Sequence, residues 1–140
     1  MNASAKSASA TNTLAKSLSA KAPADIRCKR VYEDPAPNDG YRVLVDRFWP
    51  RGIKKEALAV EEWCKALSPS SELRKWFSHD PQRWAGFYQR YHAELKDQQD
   101  ELASLLERCD GRVLTLVYGA RDTEHNNAVA LKMYLEGRQD

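Results

Sequence analysis

A chain of 140 residues with 42% apolar and 30% charged side chains is long enough to bury one core and too short for two; that composition excludes global disorder and a fibrous protein. No apolar run approaches the ~20 residues that a membrane-crossing helix needs. The net charge of +2 is uneven: residues 1–24 hold Lys6, Lys16 and Lys21 and no acid, so taking three from 22 leaves 19 basic against 20 acidic residues beyond them, and a globally basic nucleic-acid binder is not favoured.

Residues 1–24 are mostly Ala, Ser, Thr, Asn and Lys, a composition that cannot offset ordering entropy and predicts a disordered tail. A single α/β domain is expected over residues 25–140. Residues 26–32 read as a first strand with Ile26 and Cys28 facing one way. Two prolines and Asn38-Asp39-Gly40 then predict a tight reversal. Residues 41–45 read as a second strand, which Asp46 ends and Trp49-Pro50-Arg51-Gly52 turns into a loop. Residues 54–59 predict a helical turn, and the segment 58–63 is a candidate for a further strand.

Ser70 or Ser71 is placed to cap a short helix carrying Leu73, Trp76 and Phe77. Asp80-Pro81 opens the next helix, with Asp as cap and Pro in the first turn. Trp84, Phe87, Tyr88, Tyr91 and Leu95 recur at spacings of three and four, the apolar stripe of a core-facing helix. Leu102, Leu105, Leu106 and Cys109 continue that period beyond a kink expected at residues 96–99. Residues 112–118 are a near-continuous apolar strand, which predicts a central, two-sided parallel position. A last helix is expected over residues 123–137, capped by Asp122 or Thr123. This order of elements defines the fold class: a small three-layer α/β fold with a mainly parallel sheet and flanking helices.

The three cysteines, Cys28, Cys64 and Cys109, are odd in number, with no C-x-x-C pair and no Cys-x5-Arg. They read as reduced thiols in a cytoplasmic protein, with Cys64 and Cys109 on helical patterns as small core fillers. No metal site is assigned, because H-x3-H and H-E-x-x-H spacings are absent. The Walker and G-x-G-x-x-G loops are absent as well, and no cofactor is assigned. The cluster Arg74 to Pro81 reads as a capped helix start with an exposed His79.

Parallel sheets place ligands beyond the carboxyl ends of their strands. Two unusual loops stand there, residues 46–52 and 119–127. Arg47, Arg51 and Arg121 suit bidentate recognition of a phosphate or carboxylate, with Trp49, Asn126 and Asn127 as further ligand contacts. Asp46, Asp122 and His125 are the candidate acid–base groups. Each also has a structural reading: Asp46 and Asp122 as turn or helix caps, Arg47 and Arg51 stacked on Trp49. The expected partner is a small anionic ligand, phosphate or nucleotide-like. The alternative is a non-enzymatic binding or regulatory module with an Arg/Trp-rich surface.

Three blocks carry a resemblance: Asp39-Gly-Tyr-Arg-Val-Leu-Val-Asp-Arg-Phe-Trp-Pro-Arg-Gly52, Leu73-Arg-Lys-Trp-Phe-Ser-His-Asp-Pro81 and Tyr118-Gly-Ala-Arg-Asp-Thr-Glu-His-Asn-Asn127. In residue order and separation the chain resembles the YeaO-like branch of the DUF488 family of uncharacterised bacterial proteins, from about Ile26 to about Leu135. The resemblance implies an α/β domain in bacterial cytoplasm and brings no reaction, cofactor or catalytic residue with it.

Overall fold

The computed structural model describes residues 22–137; the expected tail up to residue 21 and residues 138–140 lie outside the described residues. Strands β1 (Ile26–Arg30), β2 (Tyr41–Leu44), β3 (Glu62–Trp63) and β4 (Leu114–Tyr118) form one sheet in the order β1-β4-β2-β3. Every pairing is parallel, and Leu116 of β4 sits opposite both Cys28 and Val43. All five residues of β4 are buried, the two-sided position its unbroken apolar run demands. The candidate strand in segment 58–63 is real but only two residues long.

Among the described residues five α-helices accompany the sheet: α1 (Lys55–Leu58), α2 (Ser71–Phe77), α3 (Trp84–Leu95), α4 (Gln99–Cys109) and α5 (Asn127–Leu135). Strand alternation sends Ile26, Tyr41, Val43, Leu114 and Leu116 to one face, where they meet Phe87, Tyr91, Leu102, Leu106 and Leu131 of the helices. The other face is thinly covered. Leu44, Val31 and Val117 pack there against Leu58 of α1 and the flanking Trp49, Ile53 and Trp63. The α/β fold is thus present, its third layer reduced to one helical turn and a loop.

A buried ion pair secures that thin layer. Arg42 of β2, 3% exposed, donates to Asp39 Oδ2 at 2.8 Å and to the carbonyls of Leu58 (2.6 Å) and Ala59 (3.1 Å), which close α1. Lys29 of β1 reaches the same carboxylate at 3.0 Å, and Thr115 Oγ1 donates to the Asp39 carbonyl. Three strands therefore meet on the segment that precedes β2.

The capping signals act as read. Ser70 Oγ accepts from the Leu73 N–H, and Asp80 Oδ1 from the Gln82 N–H. A 3-10 turn over Lys96–Gln98 separates α3 from α4, where the kink was expected. Two readings are corrected. The last helix starts at Asn127, not residue 123, because Asn126 is its cap and accepts from the Val129 N–H at 2.9 Å. Cys64 follows β3 rather than lying on a helix, and its Sγ bonds the Glu62 carboxylate.

His92 of α3 is buried against Tyr88, Tyr91 and Tyr134, and Nε2 bonds the Ala130 carbonyl at 2.8 Å. Burial pushes its pKa below the ordinary 6.5 despite that bond. The fold therefore prefers neutral imidazole: the contribution is complete above the unfolded value and is lost as pH falls from there through the folded one. Chemical unfolding of His92→Gln at a series of pH values is expected to show lower stability than the wild type near pH 7 and a shallower loss towards about pH 5. Parallel curves for the two proteins would mean that another group governs acid sensitivity.

Candidate functional site

A cleft of about 720 Å³ opens beyond the carboxyl ends of β2 and β4, lined by Asp46 and Phe48 after the first and by Ala120, His125, Asn126 and Asn127 after the second. Its floor is a clasp around Asp46. The residue is the second after β2, and its Oδ2 accepts the N–H of Gly119, the first residue after β4, at 2.8 Å. A Cβ on Gly119 would stand 3.1 Å from that oxygen, so glycine permits the approach. Asn127, at the start of α5, donates its amide to Asp46 Oδ1 (3.1 Å) and to the Val45 carbonyl (3.0 Å). Burial raises the Asp46 carboxyl, with Asn127 and Gly119 opposing. Both oxygens are engaged, and each retains a further lone pair.

Asp122 and His125 form a second small unit. Asp122 Oδ1 accepts from the N–H groups of Glu124 and His125, and Oδ2 pairs with His125 Nδ1 at 2.9 Å. The Glu124 N–H first, then His125, holds this carboxyl below the ordinary range. The imidazole stands edge-on to Trp84, with ring centroids 5.4 Å apart, and borders the cleft. With Nδ1 so engaged, Nε2 is the nitrogen left for a ligand.

Of the residues singled out in the sequence, Asp46, Arg47, His125, Asn126 and Asn127 line the cleft. Asn126 is buried and occupied as the α5 cap, its amide donating to the Asp122 carbonyl. Asp122 stands behind His125. Trp49 is elsewhere: its indole N–H donates to the Ile53 carbonyl at 2.7 Å and its ring meets Trp63 edge-on, on the thin face of the sheet. Arg51 and Arg121 are exposed and do not line the cleft. His79 and His125 both border it, but among the described residues no three potential metal ligands gather.

The opposite wall belongs to α2, which the sequence reading treated as scaffold. Ser71, Arg74, Lys75 and Ser78 line the cleft, with His79 beyond; the same helix sends Leu73 and Phe77 into the core. Polar side chains at i, i+3, i+4 and i+7 on one stripe were the available signal. The Arg74 guanidinium lies 5.1 Å from the Phe48 ring centroid and makes one long bond, 3.3 Å, to Ser71 Oγ. Its Nε is buried with no hydrogen-bond partner. Among the described residues, no carboxylate stands within ion-pair distance of Arg47, Arg74 or Lys75.

The fold and the cleft define a small parallel α/β domain with an open hollow at its strand ends. The chain belongs to the DUF488 family: the model described as "Inactive DUF488-N3 subclade" matches residues 25–140. It is 46% identical over 111 residues to the uncharacterised protein YeaO of Escherichia coli, spanning 79% of this chain and 96% of that one. It is 45% identical over 113 residues to uncharacterised proteins of Mycobacterium bovis and Mycobacterium tuberculosis, spanning 81% of this chain and 95% of theirs. No solved structure matches the chain. Among the described residues, no helix is long and apolar enough to cross a membrane.

Proposed function

We propose that the cleft binds a small anionic ligand of the phosphate-ester class, and that the protein acts as a binding module in the cytoplasm. The observation that carries this reading is Arg74: a guanidinium bordering a cleft, with a buried N–H unsatisfied and no carboxylate within ion-pair distance among the described residues. A buried donor without a partner costs ~1–3 kcal/mol, so an acceptor near this guanidinium is favoured. An anion in the cleft accepting from the Arg74 guanidinium offsets part of that cost, with Arg47 and Lys75 adding charge.

Binding fits the candidate acid–base groups better than catalysis. Asp46 is fixed in place by Gly119 and Asn127, with lone pairs left to accept from a ligand, and Asp122 is engaged in its own turn. The subclade's description as inactive points the same way. A shared Arg/Trp surface is less well supported, since Trp49 packs on one face of the sheet and Trp76 and Trp84 on the other. Three free thiols support a reducing compartment.

Calorimetric titration with phosphate esters is expected to show binding by the wild type and at least tenfold weaker binding by Arg74→Ala, since hydrogen bonds to charged groups contribute about 1.5–3 kcal/mol. The unliganded variant should unfold within ~1 kcal/mol of the wild type, because the long Ser71 bond and the Phe48 contact are lost while a buried unsatisfied donor is removed. No binding of any anion sinks the reading. A stability loss above ~2 kcal/mol would make Arg74 a structural group instead.

A further inference from the structure

We infer that the ligand is a nucleoside monophosphate, held by its phosphate at α2 and by its base against Phe48 and the Asp46 floor. This rests on the anion reading and narrows it. The lining carries three permanent cations, Arg47, Arg74 and Lys75, against one carboxylate, Asp46. A phosphomonoester, with charge near −2 at neutral pH, neutralises that excess; a single carboxylate leaves half of it.

A bare oxyanion does not account for the rest of the cleft. Phe48, Pro69, Phe77 and Phe87 line it together with the cations, and desolvating inorganic phosphate against such a wall is unfavourable. Phe48 is 65% exposed even with the Arg74 guanidinium over its ring. A large apolar side chain standing in water at a cleft mouth, beside a cation, is the arrangement of a stacking platform for a base joined to a phosphate.

Asp46 supplies the acceptor. Its carboxylate repels a phosphate, so the anion belongs at α2, but its spare lone pairs accept N–H groups. A base supplies ring or amino N–H donors on a flat, apolar body. The hollow therefore offers two cations from α2, and an acceptor, a third cation and an exposed aromatic ring from the loop that follows β2. Its volume lies within the range of small-molecule sites, roughly 300–1,000 Å³.

The test is calorimetry of the full chain with guanosine and adenosine monophosphates, ribose 5-phosphate and inorganic phosphate. At least one nucleotide is expected to bind about tenfold or more tightly than ribose 5-phosphate, a single base-stacking contribution. Phe48→Ala should abolish that preference, and Phe48→Tyr should keep it. Equal affinity of wild type for nucleotides and ribose 5-phosphate, or an undiminished preference in Phe48→Ala, overturns base recognition and leaves the anion reading standing. Failure of all four to bind overturns both.

Discussion

Replacing Arg42 by alanine is expected to destabilise the domain by about 3–5 kcal/mol, because it leaves the Asp39 carboxylate buried beside one remaining cation. The loss is more than an ion pair. Arg42 also satisfies the Leu58 and Ala59 carbonyls at the end of α1, and without it the thin layer over β2 has little to hold it. Urea unfolding followed by tryptophan fluorescence measures the difference, with Trp49 and Trp63 standing in the affected layer. Asp39 also sets a pH signature. Burial pushes its carboxyl up, but the Ala36 N–H, Lys29 and Arg42 outweigh this and hold it below the ordinary range. The pair's contribution is thus present above the unfolded carboxylate value and disappears as pH falls through the folded one. The gap between wild type and Arg42→Ala should accordingly narrow in strong acid. A variant as stable as the wild type at neutral pH would show that the pair's desolvation cancels its attraction.

Gly40→Ala is the second large effect. Gly40 has φ 67° and ψ −127°, a region that side chains other than glycine rarely enter, and forcing alanine into it costs about 1–3 kcal/mol. A Cβ there would also overlap the Val113 carbonyl, which accepts the Tyr41 N–H at 2.8 Å and so forms the first rung between β2 and β4. Relief requires moving one of the two central strands. A total loss of about 3 kcal/mol or more is expected, read as a lowered midpoint in the same urea assay. Gly52→Ala is the internal control: its φ is also positive, but no atom lies within 4 Å of the added Cβ, so strain is present without collision. Equal losses at the two glycines would show that the Val113 contact yields easily.

Much of the fold was legible because its signals are local. The apolar run ending at Tyr118 announced a central strand, the Trp84 to Leu95 stripe announced α3, and Ser70 and Asp80 announced the helix starts. What was hidden depended on distance. β3 was foreseen only as a candidate within residues 58–63, because its two residues are too short for any alternation and pair only where β2 offers an edge. The start of α5 was misplaced because Asp122 and Asn126 are both good caps by composition; only packing decides that Asn126 takes the helix and Asp122 the turn before it. In the site, the strand-end rule brought Asp46, Arg47, His125, Asn126 and Asn127 to one place. It did not reach Arg74 or Lys75, which come from the helical wall across the cleft, nor Arg42, an arginine inside an apolar strand whose partners lie in the turn before β2 and at the end of α1.

The pairing of β4 with both β1 and β2, which do not pair with each other, has a consequence for the order of assembly. On the ribosome, β1 to β3 and helices α1 to α4 emerge before the strand that joins the two halves of the sheet. Until residue 118 has been made, β1 has no neighbour, and the floor of the cleft lacks the amide and the asparagine that clasp Asp46. The nascent chain therefore spends most of its synthesis with strand edges open, and the complete hollow arrives abruptly with its last fifth. Premature termination before β4 is complete should leave a product without the hollow, open to aggregation or degradation.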